Sequence, residues 1–144
     1  MAAGDFTLFE QFSAEISNIH DLDADVIKLA LITAAVAPTA ATATATPFAT
    51  YTQVTAGGAY TAGGEDIAAA FTEAGGTATF DDDGTNVTWT KNAASPTDAR
   101  YALLYNDTAT NDDAIGWFDL GAIIDLTAGD LVVTFHASGI FTLA

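Results

Sequence analysis

The sequence predicts a mainly β protein: a β-sandwich or jelly-roll-like single domain, residues 1–144, with one short N-terminal helix. Short runs rich in threonine, valine, isoleucine and aromatic residues are typical of strands. Glycine-containing turn signals separate these runs at short intervals, which favours a sandwich or barrel over a helical bundle. Half of the 144 residues are apolar, which is enough for one core in a chain that has no cysteine to form disulfides.

The predicted helix covers residues 5–19. Thr7 is followed three positions later by Glu10, a pair that fits a capping box at a helix N-terminus. Four apolar residues then repeat at helical spacing: Phe9, Phe12, Ile16 and Ile19. We expect this stripe, together with Phe6, to pack on the end of the sandwich. The alternative is an arm that packs on a neighbouring subunit.

The β-sandwich is predicted over residues 26–143. Its clearest strand is Val26–Thr33, which is apolar on both faces apart from Lys28 and Thr33 and should therefore lie in the middle of a sheet. Pro38 follows this strand and ends it. The alternation of alanine and threonine over Thr39–Pro47 lacks the bulk of a core strand, so we expect an exposed loop or a thin edge strand there.

The remaining strands are expected where short apolar runs alternate with turn signals. They are Ile67–Glu73, Thr77–Phe80, Asn86–Thr90, Arg100–Tyr105, Ile115–Leu120, Leu131–His136 and Ile140–Leu143. Phe80 on one side of the Asp81–Gly84 turn, with Val87 and Trp89 on the other, predicts a hairpin around that turn.

Charge restricts the classes of partner. Three lysines and arginines stand against nineteen aspartates and glutamates, which gives a net charge of −16. A chain so acidic is repelled by nucleic-acid phosphates and by anionic membranes, so we expect neither as a partner. No apolar stretch is long enough to span a bilayer, and Met1–Glu10 has no basic, hydrophobic leader. We therefore expect a soluble protein that is made in the cytoplasm.

The residues that could carry catalysis are few. Only His20 and His136 could act as bases near neutral pH, and His136 ends an alternating strand where a surface or hydrogen-bonded structural role is expected. Ser138 follows His136 without a G-x-S-x-G elbow, and the Gly-Gly pairs lack the lysine of a phosphate-binding loop. We therefore expect no catalytic residue and no cofactor, that is, a protein that is not an enzyme.

Two aspartate clusters raise the question of a metal site. Asp21, Asp23 and Asp25 alternate as at the start of a calcium loop, but Val26 and Ile32 occupy the positions that need glycine and glutamate. The second cluster, Asp81–Asp83, lies at a turn, where carboxylates commonly bind nearby backbone amides without any ion. We expect no metal ligands, and a weak divalent cation site at these clusters is the alternative.

Several motifs occur in an order that resembles a family of small structural proteins in the virions of tailed bacteriophages. The stretches that carry the resemblance are Asp21–Asp23 with Ile27–Thr33, Tyr60–Gly64, Val87–Thr90, Arg100–Thr108, Ile115–Gly121 and Gly139–Leu143. The resemblance implies a virion structural protein without catalytic residues, and it leaves head or tail open.

Negative charge favours a place outside the packaged DNA. We therefore expect a capsid decoration (cement) protein on the outer capsid surface that bridges subunits of the major capsid protein. Copies should self-associate into a homo-oligomer, with a trimer as one form. The alternative is a tail-associated or fibre module that contacts the host surface. Its candidates for stacking on a host glycan would be Trp89, Trp117, Tyr51 and Tyr60, although Trp117 fits a core position better.

Overall fold

A computed structural model describes residues 5–16, 18–40, 47–68, 70–81 and 86–143. Its strands form from alternating and continuous apolar runs of the sequence. The elements of this part of the chain are β1 (Phe6–Leu8), α1 (Phe12–Glu15), β2 (Ile27–Ile32), β3 (Glu65–Asp66), β4 (Ala70–Ala74), β5 (Thr77–Asp81), β6 (Val87–Trp89), β7 (Ala99–Asn106), β8 (Ala114–Ile124), β9 (Leu131–Val133) and β10 (Phe141–Leu143). A single turn of 3-10 helix covers Phe48–Thr50.

The largest sheet has five antiparallel strands in the order β1-β8-β7-β2-β3. β2 pairs with β7 from Ile27↔Asn106 to Ile32↔Tyr101. Five of the six β2 residues are buried, because this strand lies inside the sheet and both of its faces are covered. The central strand predicted at Val26–Thr33 is therefore confirmed.

The described part of the chain also forms two smaller sheets, with strand orders β10-β5-β4 and β6-β9. Side chains from all three sheets share one hydrophobic cluster; among its fully buried members are Leu29, Phe80, Trp89, Leu104 and Val133. A second cluster surrounds Phe9 and Trp117 on the main sheet. The prediction of a mainly β, sandwich-like single domain is confirmed.

The helix predicted over residues 5–19 is wrong in two respects: the predicted first turn is a strand, and α1 covers only Phe12–Glu15. Phe6–Leu8 forms β1, which pairs with β8 from Phe6↔Phe118 to Leu8↔Gly116. Thr7 therefore lies in a strand and caps no helix. The pairing depends on Gly116, where an added Cβ would meet the Phe6 ring and the Thr7 carbonyl oxygen. Such long-range pairing overrides the local helical spacing.

The hairpin predicted between Phe80 and the segment with Val87 and Trp89 is also wrong. β5 pairs with β4 through Phe71↔Phe80 and with β10 through Phe141↔Phe80, whereas β6 pairs with β9. Phe80 is thus placed between two aromatic side chains, and its ring centroid lies 5.1 Å from that of Phe141. Residues 82–85, which include Asp82 and Asp83 of the predicted turn, lie outside the described residues.

Smaller differences concern strand ends. The strand predicted at Ile67–Glu73 begins later, at Ala70, as β4, and the buried Ile67 directly follows the two-residue β3. The strand predicted at Leu131–His136 ends at Val133, although its alternation continues to the buried Phe135 and the exposed His136. Most of the alanine-threonine segment, residues 41–46, lies outside the described residues, and Pro47 forms an isolated bridge to Asp113.

Candidate functional site

A buried asparagine connects the Asp21–Asp25 turn to the end of β7. The Asn106 side chain is fully buried, and its Nδ2 donates to Asp25 Oδ2 at 2.6 Å and lies 3.2 Å from His20 Nδ1. Its Oδ1 accepts from the backbone N–H groups of Thr108 and Ala109 at 2.9 and 3.1 Å. Asn106 thus fixes two turns that lie more than 80 residues apart in the sequence.

In the first aspartate cluster, Asp21–Asp25, carboxylate oxygens accept hydrogen bonds from backbone N–H groups of the same turn. Asp25 Oδ2 accepts from the Asp21 N–H at 2.8 Å, and Asp21 Oδ1 accepts from the Asp23 N–H at 3.3 Å. Carboxylates favour turns for this reason without any ion. Within the described ranges, no group of three or more histidine, aspartate or glutamate side chains is arranged to hold a metal ion.

His20 is buried beside this turn, with its ring centroid 5.1 Å from that of Phe12. Burial lowers the pKa of His20 more than the nearby Asp25 carboxylate raises it, so the ring is neutral near neutral pH. Because Asn106 Nδ2 donates to Nδ1, the proton of the neutral ring lies on Nε2. That nitrogen has no hydrogen-bond partner among the described residues.

Replacing Asn106 with alanine is expected to lower the free energy of unfolding by about 2–3 kcal/mol, because buried polar groups lose their partners. Chemical denaturation of the purified protein measures this loss. Asn111→Ala, which changes an exposed asparagine of the same connection between β7 and β8, is the control and should cost less than about 0.5 kcal/mol. Equal losses in the two variants would contradict a fixing role for Asn106.

Two carboxyl groups with buried oxygen atoms lie near each other, Glu15 on α1 and Asp113 just before β8. Asp113 is only 2% exposed, and its Oδ1 and the Glu15 Oε2 are buried without a hydrogen-bond partner in the described part of the chain. Burial and the neighbouring Asp113 raise the pKa of Glu15. Burial and Asp112 likewise raise the pKa of Asp113. Both carboxyls therefore favour the protonated form more in the folded protein than in the unfolded chain.

The contribution of these two carboxyls to stability is therefore expected to fall as the pH rises above their ordinary pKa range, because each binds protons more tightly in the folded protein than in the unfolded chain. Glu15→Gln should raise the melting temperature at neutral pH and flatten this dependence. Calorimetry from pH 4 to pH 8 provides the test, with the exposed Glu10→Gln as the matched loss of charge. Curves for Glu15→Gln and Glu10→Gln that run in parallel would contradict this account.

The aromatic residues proposed for glycan stacking lie in the core. Trp89, Tyr60, Tyr51 and Trp117 are 0%, 2%, 7% and 8% exposed. The Tyr60 hydroxyl is fixed by the Leu31 N–H at 3.0 Å and by Gln53 Nε2 at 2.8 Å. The stacking role suggested for these four side chains is wrong, because their ring faces are covered by protein.

The cationic side chains lie mostly in ion pairs. Lys28 Nζ is 2.9 Å from Asp107 Oδ2 and 3.8 Å from Asp66 Oδ1, and the Arg100 guanidinium pairs with Asp119. His136 is exposed, and its Nδ1 accepts from the Ser138 N–H at 3.1 Å, in agreement with the expected hydrogen-bonded role. The other surface carboxylates therefore leave the exterior strongly acidic.

An open groove of about 390 Å³ lies beside the Asp21–Asp25 turn. We call it the acidic groove. It is lined by Ile16, His20, Asp21, Leu22, Asp23 and Phe71. They come from the segment after α1 and from β4. The aspartates could be singled out in the sequence, but their combination with Phe71 depends on long-range packing that no local pattern indicates.

None of the helices in the described ranges has the length and apolar character needed to cross a membrane. Comparisons with protein-family models, curated proteins and solved structures found no match.

Proposed function

We propose that the chain is a capsid decoration (cement) protein of a tailed bacteriophage. It binds the outer surface of the head and bridges neighbouring subunits of the major capsid protein. One observation carries the proposal: motifs at Ile27–Thr33, Arg100–Thr108 and Ile115–Gly121, which resemble the virion family, fall on β2, β7 and β8. These strands are neighbours in one sheet. Motifs that are distant in the sequence thus form one structural unit, which supports a fold shared with that family.

The distribution of charge supports an exterior position. With a net charge of −16 and two of its three cationic side chains in ion pairs, the protein would be repelled by packaged DNA inside the shell. A protein made in the host cytoplasm and added to the outer capsid surface avoids that repulsion. Copies there self-associate under the symmetry of the lattice, for which a trimer is one suitable form.

Heating capsids with and without the protein tests this function. A protein that binds only the assembled, expanded lattice stabilises it by mass action. Capsids at full occupancy should therefore rupture at a higher temperature than capsids that lack the protein, as measured by release of DNA to an intercalating dye. Equal rupture temperatures at full occupancy would contradict a cementing role.

A further inference from the structure

The acidic groove lies beside the outer strand of a sheet. β4 is the outer strand of the β10-β5-β4 sheet, so one of its two edges has no paired strand among the described residues. Phe71 on β4 is paired directly with the fully buried Phe80 and therefore projects from the same face of the sheet. The groove is lined by Phe71 of β4 and by no described residue of β5, which places it on the side of β4 that faces the free edge.

The floor and the rim of the groove differ in chemistry. Ile16, Leu22 and Phe71 supply an apolar floor, and Ile16 and Phe71 pack against the main hydrophobic cluster. Asp21 and Asp23 at the rim are exposed, and neither is in an ion pair within the described ranges. An apolar floor below two carboxylates matches a lysine or arginine side chain, which has an aliphatic stem and a cationic end.

The rim is fixed in place before any partner binds. Asn106 binds the Asp25 carboxylate, which in turn accepts from the Asp21 N–H. His20 also lines the groove, and its Nε2 is buried without a hydrogen-bond partner among the described residues. Such pre-organisation reduces the entropy lost on binding.

We propose that the acidic groove binds an extended, basic segment of a partner protein. The backbone of that segment pairs with the free edge of β4, and one lysine or arginine side chain lies on Phe71 and Leu22 with its cation at Asp21 and Asp23. This inference goes beyond the proposed function, because it specifies the chemistry of the partner and does not require that the partner be a capsid protein.

Peptide binding tests the charge requirement. The probe is a short fluorescein-labelled peptide of alternating valine and arginine, compared by fluorescence anisotropy with the same peptide carrying glutamine in place of arginine. The arginine peptide should bind at least about tenfold more tightly, and Asp21→Asn combined with Asp23→Asn should weaken it at least about tenfold. Asparagine keeps the side-chain oxygen that accepts from the Asp23 N–H, so this variant should fold; its melting curve checks that.

The matched control removes two exposed carboxylates elsewhere, by Asp5→Asn combined with Asp98→Asn. It has the same net charge as the groove variant and should bind the arginine peptide like the unaltered protein. Equal weakening in the two double variants would show only long-range attraction to an acidic surface and would overturn the proposal.

Hydrogen exchange locates the bound peptide. Bound arginine peptide should slow exchange of amides in Ala70–Ala74, because the free edge of β4 becomes paired. Protection confined to other segments, such as the pocket lined by Glu65 and Asn86, would overturn the proposal even if the peptide binds.

Discussion

Replacing Phe9 with alanine is expected to lower the free energy of unfolding by about 3–5 kcal/mol, as for other fully buried aromatic side chains. Phe9 is 0% exposed, and its ring centroid lies 4.8 Å from that of Trp117 and 6.3 Å from that of Tyr51. Its backbone N–H also donates to the Ile115 carbonyl oxygen at 3.0 Å. The N-terminal segment is therefore part of the chain's own core, and chemical denaturation measures the loss.

Phe9→Leu is the matched control, since it keeps an apolar side chain and should cost less than half as much. The alternative of an arm that packs on a neighbouring subunit makes a different prediction. In that case the melting temperature would rise with protein concentration, and Phe9→Ala would remove that dependence. A concentration-dependent melting temperature abolished by Phe9→Ala would contradict packing within one chain.

Replacing Gly64 with alanine is expected to cost about 3–5 kcal/mol, by two effects. Gly64 has φ +80°, a left-handed conformation that costs a non-glycine residue about 1–2 kcal/mol. An added Cβ would also meet the Leu29 carbonyl oxygen and approach the Ala30 Cα to 2.7 Å. Because these are backbone atoms of β2, β3 must move away from β2, which adds a cost of overpacking.

The control for Gly64→Ala is Gly76→Ala. Gly76 has φ +87°, so the conformational cost is similar, but no atom lies within 4 Å of an added Cβ. The control should therefore lose only about 1–2 kcal/mol in the same denaturation experiment. Similar losses in the two variants would contradict the close approach of the Gly64 turn to β2.

The parts of the fold that follow from local pattern could be predicted. β2 is apolar apart from Lys28 and lies between a polar turn and a proline, and β7 and β8 are long strands rich in large apolar residues. Each signal is strong within its own segment. Sequence alone therefore indicated the central strands and the fold class, because burial inside a sheet needs side chains of this kind on both faces.

The errors arise where distant segments decide the structure. The spacing of Phe6, Phe9 and Phe12 fits a helix, yet the small residue Gly116 in β8 admits Phe6 beside it and makes a strand. By local pattern, the strand that contains Phe80 could pair with the strand before it or with the strand after it. The positive φ angles of Gly75 and Gly76 favour a tight turn that joins this strand, β5, to β4.

The candidate site shows the same division. The alternating aspartates of the Asp21–Asp25 turn stand out in the sequence as acidic residues at a turn. Their connection to Asn106 and the position of Phe71 beside Asp21 arise only when the chain is folded, since 86 residues separate His20 from Asn106. A search for local motifs has no signal for such a groove.

The copy number and position of the protein in purified virions test the central proposal most directly. Gel densitometry should give an amount comparable to that of the major capsid protein, and antibody labelling in electron micrographs should mark the whole outer surface of the head. A few copies per particle, with label confined to the tail, would contradict the cement function and support a tail-associated or fibre module.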